Sequence, residues 1–165
     1  GSHSSLLGKK IGQNLPILGG KGYSMLVDRN QSQLQYPTMV IDRKLALTPH
    51  AKNIRIAGTL ELVNQDYSLN ERRAQVLLSG AKSTLGLPQG LELNQVHDLW
   101  KGLRPCTPDG LPIIGFSKKV SNLFHASGHQ MLGLQAGAGT GKLVAQMIMN
   151  EKTFMDIQPF RASRF

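Results

Sequence analysis

Short apolar runs of strand character fill the first part of the chain. Residues 23–28, 38–42, 44–48 and 54–63 each combine β-branched, aromatic and leucine side chains with flanking turn residues. The P-H-A-K-N run over 49–53 joins the last two into a hairpin. Residues 29–36 are polar and read as a turn region, whereas 6–22 are glycine-rich without a period and read as a connecting segment. Beyond residue 63 the period lengthens: Leu69, Val76, Leu77, Ala81 and Leu85 recur at helical spacing up to Gly86-Leu87-Pro88. Ser68 and Glu71 have the spacing of a capping box at the start of that helix. Residues 96–104 return as a strand and 122–127 form a short buried one. Leu143, Val144, Met147 and Ile148 then mark the apolar face of a second helix over about 141–150. Residues from Thr153 onward carry no pattern and are expected to be loose. The predicted fold is α+β: a mostly antiparallel sheet with a packed helix, followed by a strand, a glycine turn and a helix. There is no internal repeat.

Between these patterned regions lies W-K-G-L-R-P-C-T-P-D-G-L-P-I-I-G, residues 100–115, with three prolines and three glycines. Fixed φ angles alternating with permissive positions predict a shaped loop. Set between Leu103 and Pro105 it holds an isolated cation, Arg104, and its nearest acid in sequence is Asp109. A guanidinium so placed either pairs with Asp109 to brace the loop or offers a planar fork to a ligand carboxylate or phosphate. The residues alone leave both readings open. Downstream, residues 128–141 read G-H-Q-M-L-G-L-Q-A-G-A-G-T-G. A strand, glycine turn and helix in succession suggest a ligand at the helix N-terminus, where free N–H groups and the dipole favour negative charge.

Composition narrows the class. The 165 residues, 40% apolar, suffice for one domain with a core. G-S-H-S at 1–4 reads as a tag remnant. The single Cys106 cannot form an internal disulfide, which suits a reducing compartment. A small, partly buried side chain accounts for it, and Arg104 two residues away is the one cause in sequence for a lowered thiol pKa. Neither a signal peptide nor a run near the roughly 20 apolar residues of a membrane span is visible. The expected location is cytoplasmic, or peripheral on the inner face of the cytoplasmic membrane. The formal net charge of +9 invites a polyanion, yet Lys and Arg come in ones and twos, as at Arg72-Arg73, and aromatics are only 5%. A base-stacking platform is therefore not expected, and nucleic acid is not a partner. The charge reads as solvated surface facing water, an acidic partner subunit or anionic lipid headgroups.

Familiar motifs fail on inspection. A Walker A loop ending in Gly141-Lys142 needs glycine at 136 and Ser or Thr at 143, where Ala136 and Leu143 stand. Gly137 and Gly139 would need a third glycine at 142 for a dinucleotide fingerprint, and Lys142 occupies it. His125 and His129 have helical metal-pair spacing, but Gly128 interrupts them and no third ligand is near, so no metal is expected. No nucleophile has a partnered base, leaving hydrolytic chemistry without support and no acid–base catalytic residue assigned.

The segments 100–115, N-L-F-H-A-S-G-H at 122–129 and G-L-Q-A-G-A-G-T-G-K-L-V-A at 133–145, with G-K-G-Y-S at 20–24 and R-I-A-G-T-L-E-L at 55–62, resemble the C-terminal part of FAD-dependent amine oxidoreductases. The family is the D-amino-acid oxidase and glycine oxidase superfamily, and the wording is most similar to the small subunit of D-amino-acid dehydrogenases. The resemblance runs from about residue 19 to about 151. It implies that Arg104 clamps the substrate carboxylate, that Ala46 lies near a substrate pocket, and that Gly128, His129, Gln130, Met131, Leu132, Gly133 and Leu134 run beside the flavin of FAD. By the same resemblance, 5–22 connect, 23–104 form the substrate-binding domain, 105–151 contact the flavin and complete an FAD-binding domain, and 152–165 are a tail. The implied reaction is oxidative deamination of an amino acid: hydride passes to flavin, and the imino acid hydrolyses to a 2-oxo acid and ammonia. The family's G-x-G-x-x-G turn is missing here, so the chain is expected to be a piece of a longer protein and, alone, an inactive one that binds FAD weakly. The alternative is a non-catalytic module of a multisubunit flavoprotein complex, with a partner subunit or electron acceptor in either case.

Overall fold

The computed structural model describes residues 1–29 and 34–165, so part of the expected 29–36 turn region lies outside the described residues. The elements in order are α1 (Ser4–Lys10), β1 (Leu18–Asp28), β2 (Thr38–Val40), β3 (Leu45–Pro49), β4 (Asn53–Val63), α2 (Glu71–Leu85), β5 (His97–Cys106), β6 (Ile113–Phe116), β7 (Phe124–Ser127) and α3 (Gly133–Ile148). One sheet runs β2-β3-β4-β1-β5, and β6-β7 form a separate antiparallel pair. Packing divides the chain into two compact units, one of residues 21–61 with 67–102 and one of residues 1–20, 62–66 and 103–165.

In the first of these, β3 and β4 pair antiparallel with Leu47 opposite Ile56 and Leu45 opposite Gly58, as the hairpin reading required. Alternation sends Leu45, Leu47, Ile54 and Ile56 to one face, where they join Tyr23, Met25 and Val27 from β1. Ala74, Leu77, Leu78 and Ala81 of α2 cover that face. Each buried leucine contributes about 1.5–3 kcal/mol against leaving it in water. Close approach is possible because Gly80 and Gly58 lie at the contact: a Cβ on Gly80 would come within 2.9 Å of Leu45 Cδ1, and one on Gly58 within 2.6 Å of the Lys44 carbonyl oxygen.

Two details of α2 differ from expectation. The capping box does not form; Asn70 is the cap, its side chain accepting from the Arg73 N–H at 3.2 Å, and Glu71 is already helical. Val76 is 65% exposed and Leu69 is exposed as well, because the packed stripe runs through Ala74, Leu77, Leu78 and Ala81 instead. The helix does end at Gly86, which adopts the left-handed conformation at φ 64°.

A polar cluster ties this unit together. Lys21 is 1% exposed. Its Nζ lies 3.0 Å from Glu61 Oε1 and donates to the Ser68 carbonyl at 3.0 Å. Tyr23 Oη donates to Glu61 Oε1 at 2.5 Å, and Asn70 Nδ2 to Oε2 at 3.1 Å. The Tyr23 hydrogen bond, then Lys21 and Asn70, hold the Glu61 carboxyl below its ordinary range despite the opposing effect of burial. Burial and the Glu61 carboxylate push the Tyr23 hydroxyl up.

The second unit corrects three further expectations. The connecting segment contains α1 and the beginning of β1, with Leu15 and Ile17 buried beside Ile113. The polar floor there is Gln13, whose Oε1 accepts from Ser117 Oγ at 2.7 Å and lies 3.0 Å from His125 Nε2. Burial keeps the His125 pKa below its ordinary value. Next, α3 starts at Gly133, so the glycine run is helical; Leu134, Gln135, Ala136 and Ala138 supply the propensity that the glycines between them weaken. Finally, residues beyond Thr153 are not loose. They form 3₁₀ turns at Gln158–Phe160 and Ala162–Arg164, and Ala162 packs on the Leu15–Ile17–Ile113 cluster.

Candidate functional site

The expected loop at 100–115 is mostly strand. β5 continues through Trp100, Arg104 and Pro105 to Cys106. A proline is tolerated there because β5 is an edge strand of its sheet. Only residues 107–112 remain loop. Beyond them β6 pairs with β7, Ile113 opposite Ser127 and Gly115 opposite His125.

Past β7 the chain turns sharply, with Gly128 at φ 84° and Gln130 at φ 51°. This turn locks onto the end of β5. The Gln130 N–H donates to the Pro105 carbonyl at 3.1 Å, and a Cβ on Gly128 would come within 2.8 Å of Thr107 Cγ2. The residue following Arg104 is thus hydrogen-bonded to the 128–134 turn, so two segments distant in sequence are held together.

Asp109 does not pair with Arg104. The Arg164 side chain claims it, Nε to Oδ2 at 2.6 Å and Nη2 to Oδ1 at 3.1 Å, and Nη2 also donates to the Leu111 carbonyl at 2.7 Å. That clasp, supported by the Leu111 N–H, holds the Asp109 carboxyl down at about 2. Arg104, half-buried, makes no ion pair among the described residues. Its charge acts on the Cys106 thiol, which burial nonetheless pushes up. Cys106 is therefore not an activated thiol.

The other predicted residues sit as follows. His129 Nε2 lies 2.9 Å from Thr140 Oγ1, a contact that ties the turn to α3, and burial lowers its pKa. Met131, Leu132 and Leu134 are exposed, the last at 94%. α3 begins without a side-chain cap, and the N–H groups of Gly133, Leu134 and Gln135 have no hydrogen-bond partner among the described residues. Ala46 lies on β3, opposite Met39 and Ala57, in the other compact unit. A separate cleft of about 490 Å³, lined in part by Lys9, Leu15, Cys106 and Pro108, includes none of the predicted site residues.

Sequence reasoning missed the Arg164 clasp, the Gln13–His125 contact and the Lys21–Glu61 pair. Each joins residues far apart in the chain, so no local spacing announces it. The clasp carries a pH signature. The folded pKa of Asp109, about 2, lies below its ordinary 3.8, so its contribution is complete above about pH 4 and is lost as pH falls toward 2. Arg164→Gln is expected to lower stability by about 1 kcal/mol at pH 7, after solvent screening, and by almost nothing at pH 2. Urea unfolding at the two pH values checks this; an equal loss at both would assign the effect to something other than Asp109.

Comparison with known proteins defines the class. The family of FAD dependent oxidoreductases matches residues 1–147, and the chain belongs to it. Over its whole length it is 31% identical to a D-amino-acid oxidase of Bradyrhizobium diazoefficiens and 36% identical to a D-amino acid dehydrogenase of Granulibacter bethesdensis, covering 39% of each. The chain thus spans about 39% of the length of these curated relatives. The solved glycine oxidase of Geobacillus kaustophilus superposes with a TM-score of 0.83 at 26% identity, over all of this chain and 44% of that one. The fold is accordingly a mixed α and β arrangement similar to the matching part of glycine oxidase. No helix among the described residues is long and apolar enough to cross a membrane.

Proposed function

We propose that the chain supplies the substrate-binding and C-terminal flavin-contacting parts of an FAD-dependent D-amino-acid dehydrogenase or oxidase. The observation that carries this reading is the pairing of an unneutralised Arg104 with the 128–134 turn, joined through the Pro105–Gln130 hydrogen bond. The residues suit the cofactor. The exposed faces of Met131 and Leu132 offer a flat ring apolar contact, and the free N–H groups of Gly133, Leu134 and Gln135 point to a group that gains negative charge. When bound, FAD would supply the acceptor for the hydride that leaves the substrate Cα.

In this reading residues 105–151 hold the ring and 23–104 form the substrate-binding domain, with Ala46 bordering the pocket. Arg104 binds the substrate α-carboxylate through two parallel N–H···O bonds and so fixes where Cα sits. His129, kept neutral by burial and held by Thr140, shapes the turn without bringing a second positive charge to compete with Arg104. Hydride transfer leaves an imino acid that water converts to a 2-oxo acid and ammonia.

The test is anaerobic mixing of the longer, FAD-loaded protein with D-alanine and D-proline, followed by loss of the visible flavin band. Reduction by a D-amino acid and not by its L-enantiomer is the expected result. Reduction by no amino acid would instead favour a non-catalytic module of a flavoprotein complex.

A further inference from the structure

Four basic residues that stand apart as two pairs in sequence come together in the fold. The turn from β2 into β3 closes with the Lys44 N–H donating to the Ile41 carbonyl at 3.1 Å and sets Lys44 at φ 52°. It brings Arg43 and Lys44 beside the first turns of α2, where Arg72 and Arg73 lie. All four line a cleft of about 840 Å³ between α2 and the β3–β4 hairpin, within a single compact unit. Among the described residues no carboxylate lines it. Glu61 takes up only Arg73, at 3.7 Å, and that guanidinium is further fixed by Thr59 Oγ1 at 3.0 Å. Arg43, Lys44 and Arg72 make no ion pair among the described residues. Asp42 and Glu71 are their acidic neighbours in sequence, and neither lines the cleft.

The concavity is built in. Gly80 lets α2 rest on Leu45 at the cleft floor, so the helix cannot splay without losing that contact, and Gly58 lets β4 come close to the Lys44 carbonyl. Exposed aliphatic groups sit among the charges: Val76 at 65%, Leu60 at 43% and, at the tip of the turn, Ile41 at 79%. Gln75 and Ser79 add hydrogen-bonding groups along the α2 wall.

We propose that this cleft is the docking site for an acidic segment of a partner protein, with carboxylates opposite Arg43, Lys44 and Arg72 and an apolar side chain against Val76 and Leu60. Charge complementarity selects the occupant. A second copy is a poor one: the chain has a net charge of +9, and no two of its acidic residues are adjacent. A concave floor with aliphatic walls suits a polypeptide better than a flat bilayer or a uniform phosphate backbone. The inference does not depend on the flavin reading, because its test reads binding and not turnover.

The probe is a dye-labelled peptide of alternating glutamate and leucine, titrated with the full chain at low ionic strength and read by fluorescence anisotropy. Saturable binding is expected, with Kd raised tenfold or more in the Arg43→Glu/Arg72→Glu variant. A Lys118→Glu/Lys152→Glu control, with the same change in net charge at exposed sites of the other unit, should alter Kd less than about threefold. Carbodiimide coupling on the unaltered chain gives a second readout free of folding effects: peptide carboxylates should form an amide with Lys44. Equal weakening by both variants, or coupling to other lysines and not to Lys44, would overturn the proposal. So would tighter, cleft-dependent binding of duplex DNA or of anionic phosphatidylglycerol vesicles, since the site would then belong to a different polyanion.

Discussion

Glu61→Ala is expected to lower the stability of the unit containing α2 by about 3–5 kcal/mol, the range found when one partner of a buried ion pair is removed. The substitution strips the carboxylate from an ammonium group that is 1% exposed, and it also takes the acceptor from Tyr23 Oη and Asn70 Nδ2. Asn70 is at the same time the cap of α2, so disturbance reaches the helix start. Urea unfolding followed by the fluorescence of Trp100, the sole tryptophan and a member of this unit, measures the loss directly. The double change Lys21→Met/Glu61→Leu should recover part of it, because an apolar pair then replaces the buried charges, while Tyr23 Oη and Asn70 Nδ2 still lose their acceptor. A loss below about 1 kcal/mol for Glu61→Ala would mean that water or another group already satisfies Lys21.

Arg104→Lys in the longer, FAD-loaded protein is expected to cost about 2–4 kcal/mol of transition-state stabilisation, or roughly thirtyfold to a thousandfold in kcat/KM. An ammonium keeps the charge and loses the parallel fork, so the carboxylate is still attracted but no longer fixed. Because Asp109 is held by Arg164, that acid is not free to neutralise the substitute, which makes this a test of geometry at constant charge. Steady-state kinetics with a D-amino acid checks it. An unchanged kcat/KM would remove Arg104 from the site.

What sequence could and could not show follows from the range of each interaction. The β3–β4 hairpin was legible because its determinants, alternation and the P-H-A-K-N turn, lie within the segment itself. Gly86 ended α2 for an equally local reason. The start of α3 was misplaced because glycines were weighed as turn formers, although the helix tolerates them among alanines and leucines. The cap of α2 was misplaced by two residues because Asn70, and not Ser68, takes the position, with its side chain also bonded to Glu61. At the candidate site, Arg104 stood out as an isolated cation between prolines and glycines, but its freedom from Asp109 depends on Arg164, fifty-five positions beyond Asp109. The basic cleft was illegible for the same reason: Arg43-Lys44 and Arg72-Arg73 are ordinary pairs until β3 and α2 bring them together.

The build of α3 has a kinetic consequence. Leu143 is its one buried residue, and Cβ atoms added at Gly137, Gly139 or Gly141 would meet open space. Packing therefore does little to hold the middle of the helix, and its amides should exchange with solvent deuterium through local openings well before the core of β3, β4 and α2 does. In the flavin-contacting role proposed above, ordering that segment would be left to the group bound at its N-terminal end. Occupancy and amide protection then rise together, and an alanine at Gly137 would slow exchange and tighten binding without touching the ligand.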